Sequence, residues 1–116
     1  MGLMPFLNKT PQRPARFIPN RVGYAVGDIH GRVDLLNELL TQLEERAEME
    51  TRPEGAPLVV FLGDYIDRGP NSRAVIDMLL ERPLGFQARF LMGNHEQSVL
   101  RFMDDPLANR GWVFHG

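Results

Sequence analysis

The chain has 116 residues, 43% hydrophobic and 24% charged, with a formal net charge of −2 and no cysteine. That length allows a single domain, since domains run to about 100–150 residues, and the apolar fraction is that of a folding chain rather than a disordered one. The near-neutral balance argues against nucleic acid, which calls for clustered Lys and Arg, and the lack of cysteine leaves His, Asp, Glu and Asn to hold any metal.

Residues 1–20 carry Pro5, Pro11, Pro14 and Pro19 together with Lys9, Arg13 and Arg16, without helical or alternating periodicity. They are expected to form a flexible basic leader, with one domain over residues 21–116. The apolar run Met1–Leu7 is interrupted by Pro5 and is too short for an export signal or a membrane span. Phe6 stands where a myristoylation signal requires Ser or Thr, so the expectation is a cytoplasmic protein with no membrane partner.

From Val22 a pattern repeats three times: a short apolar run, a loop rich in Gly and Asp or Asn, then a helical segment. Val22–Val26 reads as the first strand. A helix from about Arg32 to Glu48 follows, with Leu36, Leu39, Leu40 and Leu43 on one face. Pro53, Gly55 and Pro57 break it before a second strand, Leu58–Leu62. Asn71 or Ser72 can cap the next helix, whose stripe Val75, Ile76, Met78, Leu79, Leu80 ends at Pro83. Phe86–Met92 reads as the third strand, and Glu96 to about Asp104 as a helix stopped before Pro106. The order βαβαβα implies a parallel sheet with right-handed crossovers, which gathers the loops after the strands on one edge.

Any one of these loops could be a tight turn followed by a helix cap. Together they supply Asp28, His30, Asp64, Asp67, Asn94 and His95 from corresponding places in three units, and capping does not require histidine twice. Such oxygen and imidazole donors suit Mn²⁺, Fe²⁺ or Zn²⁺. Two ions about 3.5–4 Å apart need a shared ligand, which one carboxylate can supply.

The segments Gly27-Asp28-Ile29-His30-Gly31, Gly63-Asp64-Tyr65-Ile66-Asp67-Arg68-Gly69 and Gly93-Asn94-His95-Glu96 resemble, in order, the signature motifs of the phosphoprotein phosphatase branch of the calcineurin-like metallophosphoesterases. The resemblance implies an α/β fold, the βαβαβα half of a four-layer αββα sandwich. It implies that Asp28 and His30 bind a first metal ion, that Asp64 bridges two, and that Asn94 binds the second. A metal-bound hydroxide would attack phosphorus in line. His95 would protonate the leaving oxygen with Asp67 orienting its ring, and Arg68 would hold phosphate oxygens. The implied substrate is a phosphoserine or phosphothreonine protein or a small phosphoester.

In the resembled family two further histidines and an arginine downstream complete the site, so the chain is expected to be an N-terminal fragment with little activity by itself. His115 comes too early in the chain to be one of those ligands. Glu96 reads as a helix-start residue, and Trp112 and Phe114 as packing groups, Trp112 fixing a later segment. Two other readings stand beside the protein phosphatase: a dinucleoside tetraphosphate hydrolase with the same metal loops, and a non-catalytic binding module. Intact ligand positions argue against the last, and the sequence carries no signal of oligomeric state.

Overall fold

Each apolar run becomes a four-residue strand and each amphipathic segment a helix in the computed structural model, which describes residues 13–116. The order is β1 (Gly23–Val26), α1 (Val33–Glu50), β2 (Leu58–Phe61), α2 (Ser72–Glu81), β3 (Gln87–Phe90), α3 (Asn94–Asp104) and α4 (Gly111–His115). The expected leader lies outside the described residues as far as position 12. Within its remainder Phe17 lays its ring against Gly23, where a Cβ would collide with it.

The strands pair in parallel in the order β1-β2-β3, with Val26 opposite Phe61 and Phe61 opposite Phe90. This is the α/β arrangement that the alternating pattern predicts. The strands are shorter than the apolar runs. Leu62 and Leu91 still donate their N–H groups to Val26 and Phe61 carbonyls, both at 2.9 Å, but the chain then leaves the sheet at Gly63 and Gly93.

Helix α1 buries Leu36, Leu40, Leu43 and Ala47, a stripe at helical spacing, against Val26, Val59 and Phe61 of the sheet. Val75 of α2 joins the same cluster, so both helices cover one face. Leu40 and Phe61 are fully buried, and burial of such side chains contributes roughly 1.5–3 kcal/mol each. Arg82, just past α2, ties the two helices by donating to Asn37 Oδ1 at 2.8 Å and Glu44 Oε2 at 3.0 Å. On the other face Gly23, Ala25, Gln87 and Arg89 are exposed.

Helix starts follow local chemistry. Asn71 Oδ1 accepts the Ala74 N–H at 3.1 Å and caps α2, as expected. Helix α3 begins at Asn94, two residues before the expected Glu96. Gly93, in extended backbone, serves as its cap, and Glu96 in the first turn reaches back to the Gly93 N–H at 3.0 Å. Past Pro106 the chain forms the short α4, which packs on α3 through Phe102 and Trp112, with ring centroids 5.2 Å apart.

Candidate metal centre

The loops after β1, β2 and β3 lie side by side at one edge of the sheet and are joined through their backbones. Ile29 and His30 both donate N–H to the Asp64 carbonyl at 3.0 Å, and Gly31 donates to the Tyr65 carbonyl at 2.9 Å. Where they touch there is no room for side chains. A Cβ on Gly63 would overlap the Gly93 backbone, one on Gly93 would overlap Asp64, and one on Gly31 would lie 2.9 Å from the Gly69 carbonyl oxygen. Gly31, Gly63 and Gly93 are therefore packing requirements between loops.

Four of the expected site residues have left-handed backbone: His30 (φ 44°), Asp64 (56°), Asp67 (72°) and Arg68 (66°). Such a conformation costs of the order of 1 kcal/mol or more for a residue with a Cβ, least for Asp and Asn. Asn20 is the only other non-glycine residue so placed among those described. The strain is thus concentrated where the candidate side chains must be aimed.

His30 Nδ1 lies 2.9 Å from the Ile66 carbonyl, which can only accept, so Nδ1 carries the proton. In the neutral ring Nε2 is then a lone pair, and it faces Asp28 Oδ2 at 3.4 Å. His95 repeats the pattern: Nδ1–H donates to Asp67 Oδ2 at 2.9 Å, leaving Nε2 open. The two rings meet edge to face with centroids 4.8 Å apart. Donor atoms of His30, Asp64 and His95 all lie within 4.8 Å of one another.

The Asn94 amide turns one terminal atom toward both Asp64 carboxylate oxygens, at 2.8 and 3.2 Å. As nitrogen that atom donates to both. As oxygen it opposes them, as His30 Nε2 opposes Asp28, and a cation between the acceptors reconciles the two. The residues present therefore fit divalent ions, as a sulfur-free set of imidazole, carboxylate and amide donors.

Every expected site residue is on this edge. His95 stands in the closest cluster with His30 and Asp64, whereas Asp28 sits at the rim with its side chain 63% exposed. Arg68, Asn94, His95, Arg101, Trp112 and His115 line an adjoining cleft of about 430 Å³. His115 borders this cleft and is outside the cluster.

Two contributions go beyond the sequence reading. Glu96 is more than a helix-start residue: Oε1 accepts N–H from Asp64 (2.6 Å) and Gly93 (3.0 Å), and Oε2 from Tyr65 (3.0 Å) and Ile66 (3.4 Å). One carboxylate thereby clamps the second loop to the third. Burial, with the Glu96 charge beside it, pushes the Tyr65 hydroxyl up to about 12, and that hydroxyl donates to the Leu91 carbonyl at 2.8 Å. Trp112 is more than packing, because its indole Nε1–H donates to Asp67 Oδ2 at 2.7 Å. Glu three residues past Gly93 was a legible signal for the clamp; nothing in the sequence marks the second contact.

A parallel sheet with acid and imidazole donors gathered at the carboxyl ends of its strands defines a metallohydrolase-type α/β domain. Residues 24–115 match the calcineurin-like phosphoesterases, and the chain belongs to that family, one of hydrolases that use divalent metal ions. A symmetrical bis(5'-nucleosyl)-tetraphosphatase of Janthinobacterium sp. is 38% identical over 77 residues, covering 66% of this chain and 25% of that protein. An asymmetrical bis(5'-nucleosyl)-tetraphosphatase of Halalkalibacterium halodurans is 36% identical over 93 residues, covering 78% of this chain and 36% of that protein. A solved cold-active protein tyrosine phosphatase matches with a TM-score of 0.49 and 28% identity, over 73% of this chain and 28% of its own. The chain thus spans about a quarter to a third of the length of these curated relatives. Both relatives are named tetraphosphatases, and neither is named a serine/threonine protein phosphatase.

Among the described residues no helix is long and apolar enough to cross a membrane.

Proposed function

We propose that the protein is a metal-dependent phosphohydrolase acting on dinucleoside polyphosphates. The observation that carries the hydrolase reading is the convergence of His30, Asp64 and His95 within 4.8 Å, with Nδ1 of both rings already committed. The similarity to two tetraphosphatases favours the substrate class. On this reading residues 21–116 form the first part of a larger metallophosphoesterase domain in a cytoplasmic protein.

Asp28, His30, Asp64 and Asn94 would hold two divalent ions, with Asp64 the ligand they share. Bound ions supply Lewis acidity toward phosphoryl oxygens and an activated water. In the reaction a water oxygen bonds to phosphorus while the bond to the leaving oxygen breaks. His95 lines the cleft and, as imidazolium, gives its Nε2 proton to that leaving oxygen while Asp67 holds the ring through Nδ1–H; the proton given up by the attacking water restores the imidazolium. Arg68 holds phosphate oxygens with its planar fork.

A second reading, a phosphoserine/phosphothreonine protein phosphatase, is favoured by the Asp67–His95 pair. An alkoxide leaving from a phosphoester needs a proton far more than does a nucleotide leaving from an anhydride. The test compares diadenosine tetraphosphate with a phosphoserine peptide, in Mn²⁺ and in chelator. Higher kcat/KM on the tetraphosphate is expected; the reverse ratio would select the protein phosphatase. Absence of metal-dependent hydrolysis of either would remove both.

A further inference from the structure

Asp67 Oδ2 accepts two hydrogen bonds, from His95 Nδ1 at 2.9 Å and from Trp112 Nε1 at 2.7 Å. The two donors approach from different elements, α3 and α4, and the Trp112 contact spans 45 residues of chain. Asp67 needs such fixing. Its backbone is left-handed, and a single bond, from its N–H to Ser72 Oγ at 2.9 Å, anchors it toward α2. The carboxylate itself could turn about its side-chain torsions if His95 were its sole partner.

The indole is held in its turn. Phe102 packs on it with ring centroids 5.2 Å apart, and Phe102 lies on the helix that carries His95 at its start. The path from His95 along α3 to Phe102, across to Trp112 and back through Asp67 to His95 is closed. Held through Nδ1, the ring leaves Nε2 open, and both His95 and Trp112 line the cleft.

We infer that Trp112 is a positioning residue for the candidate site: its indole N–H fixes the Asp67 carboxylate and, through it, the His95 ring. The inference rests on the proposed role of His95 as proton donor. An indole N–H can donate and cannot accept, so it suits a carboxylate that must stay ionised and stationary. Its hydrogen bond would have to break for Asp67 to swing away and free His95 Nδ1.

The test uses the whole protein and the replacement Trp112→Phe, which keeps a ring against Phe102 and removes the N–H. Two aryl phosphates are compared, phenyl phosphate, whose leaving group needs a proton, and 2,4-dinitrophenyl phosphate, whose leaving group does not. The expected result is a loss of kcat of about 10-fold on the first and under about 3-fold on the second, with KM nearly unchanged. A purely structural role would slow both equally, and that result overturns the proposal. A second readout is independent of turnover. Trp112 is the sole tryptophan of the 116 residues, and its indole N–H cross-peak in the nuclear magnetic resonance spectrum is assigned by its loss in Trp112→Phe. That proton should exchange slowly and be shifted downfield, and Asp67→Asn should reverse both. The His95 Nδ1 proton should exchange faster in Trp112→Phe, or in Phe102→Leu if the first variant does not fold. An indole signal blind to Asp67→Asn, or a His95 proton equally protected in the variant, overturns the inference. Those resonance results with no hydrolysis by the parent protein would instead count against the hydrolase reading alone.

Discussion

Glu96 Oε1 accepts the backbone N–H of Asp64 at 2.6 Å, from the first turn of α3 to the loop after β2. Because the same carboxylate also takes N–H groups from Gly93, Tyr65 and Ile66, its charge is spread over a nest of donors. Glu96→Gln swaps one acceptor oxygen for an amide that opposes those donors. The expected cost is about 2–4 kcal/mol, read as a lower urea midpoint at unchanged slope. An unaltered midpoint would show that the clamp adds nothing to stability.

Asp64 and His95 should separate by what they lose. Asp64→Asn removes a charge that two ions would share, and calorimetric titration with Mn²⁺ should show affinity weakened by about 10-fold or more. His95→Asn should keep Mn²⁺ affinity close to that of the parent while slowing phenyl phosphate hydrolysis by about 10²–10⁴-fold. Similar loss of affinity in both variants would make His95 a ligand, as its place in the closest cluster permits.

Two motif glycines should respond oppositely to alanine. A Cβ at Gly93 would run into Asp64, so Gly93→Ala must push the second and third loops apart, at a cost of about 2 kcal/mol or more. Gly27 has nothing within 4 Å of the corresponding position, so Gly27→Ala should change stability by under about 1 kcal/mol. Comparison of melting temperatures decides it, and equal losses would mean that Gly27 is required for a reason other than space.

At alkaline pH one tie between the first strand and α1 should be lost. The Tyr24 hydroxyl donates to Glu50 Oε2, and that bond, with desolvation and the Glu50 charge, raises its pKa above the usual 10. A raised folded-state value means that the unfolded chain gives up the proton first. The contribution is whole below about pH 10 and fades as pH rises through the folded value. Denaturant midpoints from about pH 9 to about pH 11 should therefore fall more steeply in the parent than in Tyr24→Phe. Parallel slopes would refute the coupling.

The repeat of apolar run, loop and amphipathic helix was legible because burial on one sheet face leaves a strict imprint: Leu36, Leu40, Val59, Phe61 and Val75 are all core residues. The gathering of the motif loops was legible because parallel strands share a direction. What escaped notice depends on contacts that no local pattern encodes. Trp112 meets Asp67 across a long stretch of chain and had the composition of an ordinary packing residue. The N–H groups of Asp64, Tyr65 and Ile66 reach Glu96 only once two loops have met, and only its bond to the Gly93 N–H is local in sequence. Strand ends shifted by a residue or two because the ladder stops at Phe61 and Phe90, as the chain approaches the turns at Gly63 and Gly93, while the apolar runs continue to Leu62 and Met92.

The strands lie side by side in the order in which they are synthesised. Each βα unit can thus settle on its predecessor as it leaves the ribosome, without waiting for a distant strand to be inserted between neighbours already paired. Asp28 and His30 meet Asp64 while the third loop is still being made, and Glu96 arrives as the latch. A nascent chain halted before Gly93 would hold the first two loops in register with Asp28, His30 and Asp64 present and neither Asn94 nor His95 yet made, so on the proposed ligand set a second cation should bind only when the third loop has emerged.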